Sequence, residues 1–87
     1  MPVACIPHAM RETAGGSERV RVSGDNVRKI IQELELRYPG LKGRLMKDDL
    51  LQKGVAIAVD GKIVHRGLYE PVSQESEIHF FPALGGG

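Results

Sequence analysis

The stretch Ser76-Glu77-Ile78-His79-Phe80-Phe81-Pro82-Ala83-Leu84-Gly85-Gly86-Gly87 reads as a strand that runs out into glycine. Residues alternate along it, so Ile78 and Phe80 share one face while His79 and Phe81 share the other. Pro82 cannot donate to a sheet ladder, and the glycines after it add nothing to a core because ordering them costs the most backbone freedom. The expectation is a folded domain over residues 1–82 and a flexible glycine-rich tail over residues 83–87. The chemical group at the tip is the α-carboxylate of Gly87. A tail without side chains can enter a narrow channel in another protein, where any Cβ would collide with the walls, and present that carboxylate for reaction. The competing reading is a frayed end with no role.

A strand needs partners, and the preceding residues supply them. Val55-Ala56-Ile57-Ala58-Val59 is the most strand-like run in the chain and reads as a central strand. Asp60-Gly61 follows it directly, the strongest short hairpin signal available, and residues 62–65 return. Residues 67–73 look irregular, with Leu68 and Tyr69 expected to tuck back onto the core. Near the other end, residues 3–10 read as a strand weakened by Pro2 and Pro7, which points to an edge or a bend. A turn over residues 11–17 leads into Glu18-Arg19-Val20-Arg21-Val22, whose alternation turns Val20 and Val22 inward.

Between these pieces the period changes. Val27, Ile30, Ile31, Leu34 and Tyr38 form a continuous apolar stripe at helical spacing, with charged and polar residues opposite. Asp25 or Asn26 can cap the start and Pro39-Gly40 stops the helix. Leu36 lies off the stripe and is expected to be exposed. A short helical turn should follow over residues 41–46, with Leu45 and Met46 closing the core. Residues 47–53 read as a charged loop, and Asp48-Asp49 lacks any companion at metal-ligand or acid/base spacing. The order is β-β-α-β-β-β, one main amphipathic helix laid across a mixed sheet of four to five strands. The first and last strands can pair in parallel in the middle of that sheet, since the helical segment provides the long crossover.

Phe-Phe-Pro-Ala-Leu-Gly-Gly-Gly resembles the terminus of the ubiquitin-like sulfur carriers of the MoaD/ThiS family, which end in an apolar strand, a proline, small residues and Gly-Gly. Gly85 stands where those proteins usually have Ser or Ala. The likeness extends through Ile6-Pro7, Gly15-Gly16, Ser23-Gly24-Asp25, Tyr38-Pro39-Gly40 and Arg44-Leu45-Met46, and is greatest to carriers that serve a cysteine synthase. It implies an α+β, β-grasp (ubiquitin-like) fold. It also implies an E1-like enzyme that uses ATP and Mg to adenylate Gly87, after which sulfur replaces one oxygen to give a thiocarboxylate for an acceptor enzyme. Phe81, Pro82, Ala83, Leu84, Gly85 and Gly86 would then meet the partner, Phe81 as an aromatic anchor and Leu84 inside the channel. The small subunit of molybdopterin synthase and a ubiquitin-like modifier joined to lysines remain as alternatives, as does a plain non-covalent interaction domain.

Composition narrows the rest. The 87 residues suffice for one core, and hydrophobic residues at 41% with charged residues at 26% fit a globular domain. A formal net charge of +1 offers no concentrated basic face for nucleic acid. No apolar run approaches a membrane span and no signal-peptide layout opens the sequence, so a cytoplasmic location is expected. The single cysteine, Cys5, excludes an internal disulfide and any cluster built on several thiolates; a small buried hydrophobe is its default role, with a persulfide carrier as the alternative. His8, His65 and His79 are scattered, and no metal site or bound cofactor is expected. No phosphate loop, nucleophile elbow or cysteine–histidine signature appears, and the resemblance implies that the chain serves as a protein co-substrate activated by a partner rather than as an enzyme.

Overall fold

The helix forms where the apolar stripe predicts it. The computed structural model describes residues 1–64 and 67–82, and in it α1 spans Val27–Arg37 with Val27, Ile30, Ile31 and Leu34 buried. Asn26 caps it, its side chain accepting a hydrogen bond from the Lys29 amide at 2.9 Å. At the other end Pro39 forces Tyr38 out of the helical region, to φ −128° and ψ 84°. The chain continues as a single 3-10 turn, Pro39–Leu41, that buries Leu41. Leu36 is exposed on the outer face, as its position off the stripe requires.

Gly24, just before the cap, has φ +152°, and a Cβ there would lie 3.1 Å from both the Ile30 amide nitrogen and the Lys29 Cβ. The first turn of α1 therefore closes against bare backbone. Gly24→Ala is expected to lower the unfolding free energy by about 1–3 kcal/mol through strain and crowding, read from urea unfolding. Ser23→Ala, at an exposed neighbour, should stay within about 0.5 kcal/mol of the parent. Equal stability of Gly24→Ala and the parent would contradict the close approach.

The helix lies against a five-stranded sheet of order β2-β1-β7-β5-β6, in which β1 is Val3–Cys5, β2 Arg19–Arg21, β5 Val55–Val59, β6 Lys62–Ile63 and β7 Glu77–Pro82. β7 is central and runs parallel to β1, while the other pairs are antiparallel. The crossover through α1 is what permits the parallel pair. Ala4, Val20, Ile57, Ile78 and Phe80 pack with the helix stripe, Leu41, Leu45 and Leu68 in one core. This is the ubiquitin-like β-grasp arrangement.

Local expectations needed correction at several places. The first strand stops at Cys5, and His8–Met10 is a 3-10 turn. Pro2 and Pro7 bracket an interior strand instead of marking an edge: the missing amide of each falls outside the three ladder residues, while the Pro2 carbonyl still accepts from Val22 at 3.0 Å. The charged loop is a second hairpin, β3 Met46–Lys47 with β4 Leu50–Leu51. Asp48 and Asp49 occupy its two turn positions at φ 54° and 59°, a left-handed pair that a short polar side chain tolerates. Tyr69 does not join the core but is 66% exposed; the 3-10 turn Gly67–Tyr69 buries Leu68 alone. The strand after Asp60-Gly61 covers Lys62–Ile63, and His65 lies outside the described residues, as does the proposed tail, residues 83–87.

Candidate functional site

Asp60 fixes where β7 begins. It adopts φ 52° in the β5–β6 turn, and its carboxylate accepts from the Glu77 amide at 2.9 Å and from the buried Ser76 hydroxyl at 3.0 Å. From that anchor, strand alternation turns Ile78 and Phe80 to the core and Glu77, His79 and Phe81 to the face without the helix. Phe81 is half-buried opposite Ala56, and His79 is exposed opposite Ala58. Pro82 pairs with Val55 as the last residue of β7. Of the residues expected to meet a partner, Ala83, Leu84, Gly85 and Gly86 lie outside the described residues, as does the expected reactive group at Gly87.

Cys5 belongs to this open face and not to the core. Ala4 and Ile6 point inward, so the residue between them must point out, and Cys5 is half-buried. In the parallel β1–β7 register it sits directly beside His79. Its Sγ is 3.7 Å from His79 Nε2 and 3.8 Å from Glu77 Oε1, and the latter two are 2.6 Å apart. Arg19, opposite Cys5 on β2, donates to Glu77 Oε2 at 2.8 Å. Hydrogen bonds from Arg19 and His79 hold the Glu77 carboxyl below the usual carboxylate range. Burial, reinforced by the Glu77 carboxylate, pushes the Cys5 thiol up. A thiol kept protonated is a weak nucleophile, so the face carries no activated cysteine. Cys5, His79 and Arg19 border a groove of about 470 Å³ that Pro7, His8, Arg11 and Phe81 also line.

Sequence reading missed this cluster because Cys5 and His79 are 74 positions apart. The run Val3-Ala4-Cys5-Ile6 is apolar throughout, so no local pattern tells which face Cys5 takes.

The ThiS family model matches residues 6–87. The chain belongs to the ThiS family. Within that family it is 32% identical to the sulfur carrier protein CysO of Mycobacterium bovis and of Mycobacterium tuberculosis, with 94% of each chain covered. A chain of the crystal structure of the Amycolatopsis orientalis BexX/CysO complex superposes with a TM-score of 0.89 at 30% identity, both chains being covered completely. Small archaeal modifier protein 1 from Haloferax volcanii gives a TM-score of 0.74 at 27% identity, over 99% of this ThiS-family chain and 98% of the other. No helix among the described residues is long and apolar enough to cross a membrane.

Proposed function

We propose that this chain is a sulfur carrier whose Gly87 carboxylate is the working group. The observation that carries the proposal is the family match through residue 87, joined to 32% identity with carriers named for that role. In the proposed cycle an E1-like enzyme, using ATP and Mg, lets the Gly87 carboxylate attack the α-phosphorus with loss of pyrophosphate. A carboxylate is a poor electrophile, whereas the resulting acyl-adenylate is a good one. A sulfur donor then attacks the carbonyl carbon, AMP leaves, and the terminus becomes –COS⁻. That soft nucleophile passes to a cysteine synthase-like acceptor or another sulfur-incorporating enzyme, and this chain acts as co-substrate. A separate protein partner is supported by the BexX/CysO complex in which the Amycolatopsis relative occurs.

A second reading has its own support: the likeness to small archaeal modifier protein 1 favours a modifier joined to lysines. Both readings share activation and differ in the fate of the carbonyl. The deciding measurement is intact mass after incubation with ATP, sulfide and an extract of the source cells, beside a gel of the same mixture. A mass gain equal to one oxygen exchanged for sulfur, localised to the C-terminal peptide, is the expected result. Amide-linked ladders without that gain would favour the modifier, and a whole added sulfur on the Cys5 peptide would point to a persulfide.

A further inference from the structure

Cys5, Glu77 and His79 bring a sulfur, an oxygen and a nitrogen donor to one point on the open face. All three atoms lie within 4.8 Å of one another, and they are the one such group of three among the described residues. Two of the positions are direct cross-strand partners, Cys5 beside His79, and Glu77 precedes His79 by one full strand period on the same face. A site built on adjacent strands in the middle of a sheet is held by the ladder itself.

The spacing suits a tetrahedral ion. With zinc bonds of about 2.3 Å to sulfur and about 2.05 Å to nitrogen or oxygen, sulfur should lie about 3.6 Å from either lighter ligand. The Sγ distances of 3.7 Å to Nε2 and 3.8 Å to Oε1 are already there. Nε2 and Oε1, 2.6 Å apart, share a proton and must separate by about 0.7 Å to reach a tetrahedral edge. The exposed imidazole of His79 has room to do so. Arg19 grips Oε2 at 2.8 Å and leaves Oε1 turned to His79 and Cys5, the arrangement by which an outer partner orients a ligating carboxylate.

We propose that Cys5, Glu77 and His79 form a binding site for a thiolate-seeking divalent cation of the zinc class, with its fourth position open to water or to a ligand from a partner. On binding, the Cys5 thiol proton leaves to solvent, the neutral His79 ring moves its proton by solvent exchange from Nε2, where it bridges to Glu77, to Nδ1, and the freed Nε2 takes the metal. Thiolate, imidazole and carboxylate together select zinc or cobalt over magnesium and calcium, which prefer all-oxygen sites. The site is independent of chemistry at the C-terminus, so it stands or falls apart from the carrier function.

The test is titration of the reduced full chain with Co²⁺, read by absorption, followed by displacement with Zn²⁺. One ion per chain and a thiolate-to-cobalt charge-transfer band, lost on adding Zn²⁺, are expected. Cys5→Ser should abolish the band. His79→Ala and Glu77→Gln should each weaken binding by at least about tenfold, with circular dichroism confirming the fold, while His8→Ala binds as the parent does. Absence of the band in the parent, undiminished binding by Cys5→Ser, or one ion per two chains would overturn the proposal.

Discussion

A chain lacking Gly87 is expected to show no ATP-dependent exchange of oxygen for sulfur under conditions that convert the parent chain. Removing one residue draws the carboxylate back by about 3.5 Å along an extended backbone. A misplacement of about 1 Å can cost on the order of 100-fold in a reaction that depends on near-attack geometry, so the loss should reach background. Gly85→Ser is expected to retain most of the exchange, because serine at that position keeps the length of the tail and is common in the family. The reverse pattern, with Gly85→Ser inactive and the deletion active, would mean that the reacting position has been misassigned. Intact mass of the two variants, taken side by side with the parent, reads the outcome.

The second large effect concerns stability. Leu34 is 0% exposed at the centre of the α1 stripe, against 77% for Leu36 two residues later. Leu34→Ala should cost about 2–5 kcal/mol, the lost burial plus the cavity left behind. A domain of this size has about 5–15 kcal/mol in total, so the midpoint of thermal unfolding should fall by about 10–30 °C. Leu36→Ala should stay within about 0.5 kcal/mol, since it removes no core contact and alanine is a strong helix former. Similar losses for both would show that the stripe does not face the sheet.

Both expectations were largely legible before any tertiary structure. The helix could be read because its signal is local: a 3.6-residue period, a capping side chain at Asn26 and a stop at Pro39 all fall within a few turns. Asp60-Gly61 was legible for the same reason, since a two-residue turn with both φ positive needs residues of that kind. Asp48-Asp49 adopts the same kind of turn but carries no glycine, and its flanking strands are two residues each, too short to show alternation. Tyr69 was misplaced because an aromatic residue beside a buried leucine gives no periodicity in a 3-10 turn of three residues.

The sequence by itself determined the helix, the hairpin after β5, the inward faces of β2 and β7 and the family resemblance, because each rests on neighbours along the chain. Only the tertiary structure decided that Cys5 leaves the core and stands beside His79 and Glu77. That juxtaposition depends on the parallel register of β1 with β7, which is set where two distant strands pack beneath one helix. A one-residue slip would have turned Cys5 inward and dissolved the cluster, and no local pattern encodes the difference.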